Sequence, residues 1–360
     1  MVSKAAEVLV IGARGIPNVE GGAEKNAEKL FPRLVNKGYS VTLLGLSTYI
    51  KADSFQGVRL LSAPSVWLLN TDKLFYYLAA IVYAVRLRPR IVHLQGLGAA
   101  MFLWVYKLLG FIVVVRYGSA DYLVPKWGVF GQLGFRASEF QLRFADAVVS
   151  VASSLTRRLK ERGIEARVHT IPNALDVPDQ PWQGSASPTQ RPYLLVVGRV
   201  TSQKNIDTVL RAFALLSRER PDCELVIAGS LNDKKYAEML QPLVIEGVTM
   251  PGAVSRDRVA ELLRGCALYV NISHHEGNSN ATLEAISHGC PVLVSDIPEN
   301  REMQLSPNNF VDQNDIEAVA RAFAAGLASP RDFIVDQSGF LSWDDIAQQT
   351  AQVYASLLKG

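Results

Sequence analysis

The sequence predicts an α/β protein of two doubly wound, Rossmann-like domains, each with a parallel sheet covered by helices. Short β-branched runs alternate with amphipathic segments along most of the 360 residues, a pattern typical of parallel sheets. The alternation stops once, at residues 172–192, where five prolines and little periodicity indicate a linker. The length also fits two domains of roughly 100–200 residues each.

The N-terminal domain, residues 1–171, starts with a strand that leads into a glycine-rich turn and a helix. Ser153 or Ser154 is expected to cap its last helix. Its predicted strands are 7–11, 40–44, 91–94, 111–116 and 147–151, and its predicted helices are 22–37, 74–85, 99–109, 130–144 and 154–162.

The C-terminal domain, residues 193–341, repeats the alternation, and a last helix at 342–358 begins at Ser342 with Asp344 and Asp345 in its first turn. Two such domains place a ligand cleft between the carboxyl ends of both sheets. The predicted strands of this domain are 193–197, 224–228, 268–270 and 292–295, and its helices are 206–218, 236–245, 256–264 and 280–288.

The formal net charge of +3 is divided unevenly. Residues 1–180 carry 22 Lys and Arg against 13 Asp and Glu, a net of +9, and the remainder has a net of −6. Such asymmetry favours an anionic partner for the basic half, although no basic helix or aromatic-rich motif indicates nucleic acid. A content of 49% hydrophobic residues excludes disorder, and three scattered cysteines, expected to be buried, exclude a disulfide framework.

No segment is long enough to predict a membrane span. The apolar stretches 74–85 and 99–115 fall short of the roughly 20 residues required or are broken by Lys107 and Gly110, and the N-terminus is not typical of a signal peptide. We therefore expect a cytoplasmic protein, held peripherally at an anionic membrane surface by basic residues near aromatic ones. These are Lys73, Arg86, Arg88, Arg90 and Lys107 with Trp67, Tyr76, Tyr77 and Trp104; ordinary surface lysines and arginines are the alternative.

The first strand leads into a turn with Gly12, Gly15, Gly21 and Gly22 before a helix. Glycines permit close backbone approach, and the helix N-terminus offers free N–H groups to an anion. The spacing departs from G-x-G-x-x-G, and no acidic residue ends the second strand, which argues against a nicotinamide or flavin site. A simple turn remains the alternative.

Charged residues follow two strands of the second domain. Gly198 and Arg199 end the strand at 193–197, and Lys204 precedes the next helix, so both cations can reach one diphosphate. Glu276 lies on a loop and Glu284 lies within the helix at 280–288, with Gly277, Asn278, Ser279 and Asn280 between or at its start. Solvated side chains are the alternative for both sets.

The helix N-terminus suits phosphate, and ionised carboxylates accept hydrogen bonds from sugar hydroxyls. No Asp-x-Asp and no metal-ligand spacing is present, and the adjacent His274 and His275 point apart on an extended chain. We therefore expect no metal and no other cofactor.

The run EGNSNATLEA, with the preceding VGR and KN, resembles the donor-binding half of retaining glycosyltransferases of family 4, which have the GT-B fold. The opening IGARGIPNVEGGAE and the segment GSADY followed by KWG resemble a rhamnosyltransferase-like subgroup that builds bacterial capsules, O-antigens and exopolysaccharides. This resemblance covers nearly the whole chain. It implies an N-terminal acceptor domain, a C-terminal donor domain, and a last helix (342–360) that packs back on the N-terminal domain.

The resemblance also implies roles for individual residues. Arg199 and Lys204 would neutralise the donor diphosphate, and Glu284 would bind the ribose. Glu276 would face the sugar ring, and the amides of Gly277, Asn278, Ser279 and Asn280 would contact the sugar and the β-phosphate. Gly15, Gly22 and Gly198 would let the backbone approach the donor.

One departure concerns proton transfer. Many members of the family have a His before the G-x-D segment, where this chain has Tyr117 and Gly118. Asp121 is therefore the first candidate base and His93 the second, with a structural role as the alternative for His93. His93, Tyr122 and Lys126 are also candidate acceptor or sugar contacts. The donor is expected to carry UDP, with dTDP-rhamnose or a GDP-sugar next, and the acceptor to be a lipid-linked glycan. A nucleotide-sugar epimerase of the same fold and a non-catalytic nucleotide-sugar-binding protein remain alternatives.

Overall fold

A computed structural model describes residues 7–66, 73–119, 129–164, 167–176, 182, 191–231 and 233–359. The chain divides into two compact units. The first contains Met1–Asn173 together with Leu341–Gly360, and the second contains Ala174–Phe340. Each unit is a parallel α/β structure of the Rossmann type, which confirms the predicted fold class.

The sheet of the first unit has eight strands. They are β1 (Glu7–Ile11), β2 (Ser40–Leu46), β3 (Ser54–Phe55), β4 (Val58–Ala63), β5 (Ile91–Gln95), β6 (Ile112–Tyr117), β7 (Ala147–Ser150) and β8 (Val168–Thr170). Their order is β3-β4-β2-β1-β5-β6-β7-β8, and all neighbours are parallel except β3 and β4. The strands β3, β4 and β8 extend the sheet beyond the five that the sequence predicts.

Five helices connect these strands: α1 (Gly22–Asn36), α2 (Lys73–Leu87), α3 (Leu103–Leu108), α4 (Val129–Gln141) and α5 (Ser153–Glu161). Alternate residues of β6, Val113, Val115 and Tyr117, enter one core together with side chains of α2, α3 and α5. The expected cap of α5 is wrong, because Ala152 occupies the N-cap position and Ser153 already lies within the helix.

Two aromatic residues expected at the surface are buried instead. Tyr76 and Tyr77 of α2 keep only 2% and 6% of their surface accessible and belong to the core of the first unit. The hydroxyl of Tyr76 accepts a hydrogen bond from the N–H of Gly12 at 2.8 Å and donates one to the carbonyl of Leu44 at 2.6 Å. Their burial follows from helix periodicity, which turns this face of α2 towards the sheet.

The sheet of the second unit has six parallel strands. They are β9 (Tyr193–Val197), β10 (Glu224–Ala228), β11 (Val248–Gly252), β12 (Leu268–Asn271), β13 (Val292–Ser295) and β14 (Phe310–Val311), in the order β11-β10-β9-β12-β13-β14. Separate hydrophobic clusters cover its two faces. One face therefore packs under Val209 and Phe323, and the other packs under Leu263 and Ile286.

Six helices belong to this unit: α6 (Ile206–Glu219), α7 (Lys234–Leu240), α8 (Arg256–Gly265), α9 (Asn280–His288), α10 (Pro298–Arg301) and α11 (Ile316–Ala328). The helix α11 is absent from the sequence prediction, although Asp315 caps it by accepting the N–H of Ala318 at 2.9 Å. The three cysteines are buried and free, as predicted.

The last helix, α12 (Trp343–Lys359), packs against α1 of the first unit. Ser342 and Asp345 form a reciprocal cap at its start, with Ser342 Oγ accepting the N–H of Asp345 and the carboxylate accepting the N–H of Ser342. Arg33 of α1 forms an ion pair with Asp344 at 3.2 Å. Within the described residues, no helix is long and apolar enough to cross a membrane.

Candidate active site

The candidate site lies where the sheet of the second unit changes direction. From β9 the chain moves outward to β10 and β11 on one side, and β12 then pairs with β9 on the other side. In doubly wound sheets this switch point is where ligands bind, at the carboxyl ends of the central strands. The residues predicted to hold the donor follow β9 and β12 directly, so the topology brings both sets to one edge of the sheet.

Two glycines shape the backbone that carries Arg199. Gly198 follows β9 with a φ of +145°, and its N–H donates to the carbonyl of Ala228 at 2.9 Å. A Cβ atom at Gly229 would stand 1.8 Å from the carbonyl oxygen of Gly198, so only glycine fits there. The side chain of Arg199 is exposed and forms no ion pair with any residue that the structure describes. Its charge is therefore available to an anion.

Asn205 fixes the end of the loop that carries Lys204. A turn of 3₁₀ helix at Ser202–Lys204 ends at Asn205, whose φ of 55° is left-handed. The buried side-chain amide of Asn205 donates to the carbonyls of Ile272 at 3.3 Å and Gln313 at 2.8 Å. Asparagine tolerates this backbone better than most residues, so one side chain both ends the turn and ties it to the segment after β12.

The two adjacent histidines contribute main-chain contacts. The N–H of His274 donates to the carbonyl of Gln203 at 2.9 Å, and the side-chain amide of Gln203 donates to the carbonyl of His275 at 2.8 Å. These bonds join the loop after β12 to the loop after β9. They also place Lys204 next to the segment that contains Glu276.

Lys204 and Glu276 form an ion pair. The distance from Nζ of Lys204 to Oε1 of Glu276 is 2.5 Å, and the two side chains keep 19% and 10% of their surface accessible. Ser273 Oγ donates to the same carboxylate oxygen at 2.8 Å. Burial alone would raise the pKa of Glu276, but the Lys204 ammonium and hydrogen bonds from Lys204, Ser273 and Asn271 hold this pKa below its ordinary value.

The contacts of Glu276 are one-sided. The hydrogen bonds from described residues all reach Oε1, and none reaches Oε2. An ionised carboxylate is only an acceptor, so Oε2 is an acceptor for a hydroxyl group outside the protein. Sequence reasoning missed Asn271 and Ser273, although both are polar residues at the carboxyl end of a strand.

The start of α9 adjoins the same carboxylate. Ser279 caps this helix by accepting the N–H of Thr282 at 3.4 Å. Asn271 Nδ2 lies 3.0 Å from Ser279 Oγ and 2.8 Å from Thr282 Oγ1, so the end of β12 is tied to the first turn of α9. Gly277 is buried, and Asn278 and Asn280 are half-buried. The helix N-terminus supplies N–H groups and a positive dipole end.

Glu284 is half-buried and is the fifth residue of α9. The sequence predicts Glu276 on a loop and Glu284 inside the helix, and the secondary structure agrees with that placement. Together with Arg199 and Lys204, the switch point of one sheet thus carries two cations, two carboxylates and a helix N-terminus. This set can bind a diphosphate and several hydroxyl groups.

The glycine-rich turn of the first unit is held by carboxylates of α1. Glu24 accepts hydrogen bonds from the N–H of Arg14 at 3.1 Å and from its guanidinium at 3.0 Å. A Cβ atom at Gly15 would stand 2.9 Å from Cβ of Tyr49, so packing within this unit already requires glycine there. Gly22 is the first residue of α1. The proposed approach of Gly15 and Gly22 to a donor stays a prediction.

His93 is enclosed by the first unit. Its side chain is 1% exposed, its Nδ1 lies 2.6 Å from the Tyr354 hydroxyl of α12, and its ring packs edge-on against Phe31 at 5.3 Å. Burial, reinforced by the charge of Arg116, lowers the pKa of His93 to about 3. This geometry favours a structural role over contact with a sugar. The remaining candidates of this region, Asp121, Tyr122 and Lys126, lie outside the described residues.

Metal independence also stays a prediction. Within the described part of the chain, no group of three or more His, Cys, Asp or Glu side chains is arranged to hold a metal ion.

Comparison with known proteins gives two family matches. The family described as Glycosyltransferase Family 4 matches residues 20–178, and the one described as Glycosyl transferases group 1 matches residues 182–333. Glycogen synthase of Mycobacterium tuberculosis (strain ATCC 25618 / H37Rv) is 23% identical over 98% of this chain and 95% of its own.

A second relative matches only part of the chain. GDP-mannose:cellobiosyl-diphosphopolyprenol alpha-mannosyltransferase of Xanthomonas oryzae pv. oryzae (strain PXO99A) is 28% identical over 47% of this chain and 46% of its own. Among solved structures, sucrose-phosphate synthase from Thermosynechococcus elongatus has a TM-score of 0.82 at 18% identity, over 98% of this chain and 99% of that one. At this identity the likeness concerns the fold.

Two Rossmann-like units and two glycosyltransferase family matches, one for each half of the chain, define a GT-B glycosyltransferase. Each family match covers less than half of the chain, and together they support its assignment to glycosyltransferase family 4.

Proposed function

We propose that the protein transfers a sugar from a nucleotide-diphosphate sugar to a hydroxyl of a glycan acceptor, with retention of anomeric configuration and without a metal ion. The second unit would bind the donor and the first unit the acceptor, in bacterial capsule, O-antigen or exopolysaccharide synthesis. One observation carries the proposal: Lys204 and Glu276, from the loops after β9 and β12, meet at the switch point of the second sheet.

The diphosphate would lie between the cations and the start of α9. As the bond between the anomeric carbon and the β-phosphate oxygen breaks, the electron pair moves onto that oxygen. Arg199, Lys204 and the N–H groups at the helix N-terminus stabilise the developing charge. Because Arg199 is paired with no described residue, its charge can serve the phosphate fully. These groups would do what a divalent cation does in other transferases.

The carboxylates would recognise hydroxyl groups. Glu276 is held on one side by Lys204 and Ser273, which leaves Oε2 to accept a hydrogen bond from the transferred sugar. Glu284, the fifth residue of α9, would accept hydrogen bonds from the hydroxyls of the nucleotide ribose.

Retention requires that the acceptor oxygen attack the face of the sugar from which the diphosphate departs. The new bond joins the acceptor oxygen to the anomeric carbon, and the acceptor proton passes to the departing phosphate oxygen. Asp121 is the alternative recipient of this proton. A protein base is not essential, because the leaving phosphate is itself basic.

The direct test is the fate of the donor. Nucleotide sugar is incubated with the enzyme, with and without lipid-linked oligosaccharide, and the products are separated and identified. We expect an elongated glycan of retained configuration and free nucleoside diphosphate. A new sugar formed on the donor alone would instead identify an epimerase. Donor that binds but stays intact with every acceptor would identify a binding protein.

The donor nucleotide is proposed to be UDP, with dTDP-rhamnose or a GDP-sugar as the next candidates. The relative from Xanthomonas oryzae is named for GDP-mannose and a diphosphopolyprenol-linked acceptor, which supports a lipid-linked acceptor and keeps GDP in the set. A thermal-shift screen of nucleoside diphosphates distinguishes these candidates, since a bound nucleotide raises the free energy of unfolding by RT ln(1 + [L]/Kd).

We further propose that the first unit binds the anionic inner face of the cytoplasmic membrane. Residues 73–120 contain six Lys and Arg and no Asp or Glu, and the four exposed ones give a charge that suits anionic lipid: Lys73, Arg86, Arg88 and Arg90. Large apolar side chains are exposed on the outer sides of α2, α3 and α4 and just after α4. They are Leu78, Val82, Val85, Trp104, Leu108, Leu133, Phe140 and Phe144, and Leu108 is 78% exposed.

The proposed membrane-binding surface shares only some of its residues with the surface expected from the sequence. Trp104 is 51% exposed and stays in the proposed surface, whereas Tyr76 and Tyr77 are in the core. Lys107 forms an ion pair with Asp146 at 2.6 Å, which reduces its contribution. Trp67 lies outside the described residues.

Co-sedimentation with vesicles tests the surface. We expect binding to vesicles that contain anionic lipid, about tenfold or more weaker in Trp104→Ser and Leu108→Ser because each loses buried apolar area. Met239→Ser is the control, since Met239 is a 50% exposed apolar residue of the second unit. No preference for anionic over neutral vesicles would assign these residues to an ordinary surface.

A further inference from the structure

Arg116 is a buried cation with no acidic partner among the described residues. It is the fifth residue of β6, aligned with Gln95 of β5, and only 6% of its surface is accessible. Its guanidinium donates to Oδ1 of Asn173 at 2.5 Å and makes no ion pair within the described residues. Burial lowers the pKa of Arg116 to about 10. The described partner of the buried Arg116 cation is thus the neutral side-chain amide of Asn173.

Such an arrangement is unfavourable for the protein alone. Moving a guanidinium out of water is costly unless an anion compensates it, and buried charges in folded proteins are nearly always paired. Elsewhere in the first unit this rule is followed, because the buried carboxylates of Glu24 and Glu139 are matched by Arg14 and Arg162. An unmatched Arg116 therefore points to an anion from outside the chain.

The guanidinium adjoins an uncrowded backbone position at the carboxyl edge of the sheet. Nη1 of Arg116 lies 3.9 Å from where a Cβ atom at Gly118 would stand, and no other described atom outside the glycine's chain neighbours comes within 4 Å. Gly96, which follows β5, has no described atom within 4 Å of its own Cβ position, apart from its chain neighbours. Among the described residues, the Cβ positions of Gly96 and Gly118 beside Arg116 are thus uncrowded.

We propose that Arg116 binds an oxyanion, a phosphate or a carboxylate, carried by the acceptor. The assignment to the acceptor rests on the proposed function, in which the donor diphosphate belongs to the second unit. The planar guanidinium offers paired N–H groups that match two oxygens of one oxyanion. Asn173 holds Nη2 and so orients the remaining donors. Acceptors with an anionic group at this point would be favoured over neutral ones.

Thermal unfolding with small oxyanions tests this site. Inorganic phosphate and glucuronate are added separately in the presence of saturating UDP, which occupies the diphosphate site of the second unit. We expect one of them to raise the Tm further; a response to phosphate or to glucuronate identifies the kind of oxyanion. The response should fall at least tenfold in apparent affinity in Arg116→Met and in Gly118→Leu, which covers the guanidinium without removing it.

The controls separate this site from the donor site and from the fold. Arg59→Met removes an exposed arginine of β4 and should keep the full oxyanion response. The Tm of Arg116→Met without oxyanion should equal or exceed that of the wild type, because an uncompensated charge is gone. A marked fall in that Tm would show that Arg116 is structural and would overturn the proposal.

Two further results would also overturn it: no response of the wild type to either oxyanion, or an equal response in Arg116→Met. A normal Tm shift with UDP in the same samples leaves the proposed function intact. Absence of a UDP shift in the wild type would count against UDP as the donor nucleotide and not against the Arg116 site.

Discussion

Nζ of Lys204 lies 2.5 Å from Oε1 of Glu276, although 72 residues separate them in the sequence. The contact exists because β12 pairs beside β9, so the loops after both strands meet at one edge of the sheet. Asn205 and Gln203 reinforce this meeting through hydrogen bonds to the segment after β12. Folding of the second unit alone therefore assembles the ion pair at the proposed diphosphate site.

Removal of one partner should destabilise the second unit. Lys204→Ala leaves a largely buried carboxylate without its cation, and we expect the free energy of unfolding to fall by roughly 1–3 kcal/mol, less than for a fully buried pair because both side chains keep some exposure. Adding Glu276→Gln should restore part of the loss. Urea unfolding of both variants measures the coupling, with Lys235→Ala on the surface of α7 as control; additive effects would contradict a direct interaction.

Glu284 should act on nucleotide binding. In Glu284→Ala the ribose hydroxyls lose a charged acceptor worth about 1.5–3 kcal/mol, so we expect roughly 10- to 100-fold weaker binding of the nucleoside diphosphate. Isothermal titration calorimetry gives the affinity directly. Glu317→Ala, on an exposed part of α11, is the matched control. Unchanged affinity in Glu284→Ala would exclude the ribose role.

Gly229 should be intolerant of a side chain. Its Cβ would stand 1.8 Å from the carbonyl oxygen of Gly198, so Gly229→Ala must displace the backbone before Arg199. We expect a lower Tm and a loss of donor affinity together. Gly134→Ala in α4, where the nearest atom is 4.0 Å away, should be neutral or stabilising by about 0.5–1 kcal/mol. Equal Tm and equal donor affinity in Gly229→Ala and Gly134→Ala would contradict the close approach of Gly229 to the carbonyl of Gly198.

His93 should make stability depend on pH. Its pKa is lowered to about 3 by burial and by Arg116, so the folded state keeps it neutral while the unfolded chain protonates it near 6.5. The contribution of neutral His93 to the free energy of unfolding is therefore complete above about pH 6.5. It falls by up to ~1.4 kcal/mol per pH unit between pH 6.5 and pH 3. His93→Gln should show a shallower decline in urea unfolding from pH 7 to 4. Parallel declines would show that His93 titrates as freely as in the unfolded chain.

Local pattern was sufficient for most elements, and it placed the charged candidate residues on the loops and the helix where the structure has them. The strand at 193–197 and the helix at 280–288 have the predicted bounds, because each has a clear period and a clear start or stop. The strands β8 and β14 are only three and two residues long, too short for a period to register.

The supporting residues of the site could not be derived from local pattern. Asn271, Ser273 and Asn205 owe their roles to the pairing of β9 with β12, a property of sheet order rather than of any one segment. The burial of Tyr76 likewise depends on which face of α2 meets the sheet. By contrast, Arg199, Lys204 and Glu276 are recognisable in sequence because chemistry restricts their residue types.

Sugar transfer by Arg199→Ala, compared with Arg211→Ala, is the most direct measurement of the proposed diphosphate role. Arg211 is an exposed arginine of α6, and Arg199 is paired with no described residue, so neither change should alter the Tm. The assay uses the nucleotide sugar chosen by the thermal-shift screen and a lipid-linked acceptor. We expect the rate of transfer to fall at least 100-fold in Arg199→Ala, a loss of about 2.7 kcal/mol in transition-state stabilisation. The rate should be unchanged in Arg211→Ala. Near-normal transfer by Arg199→Ala would contradict the proposed electrostatic mechanism.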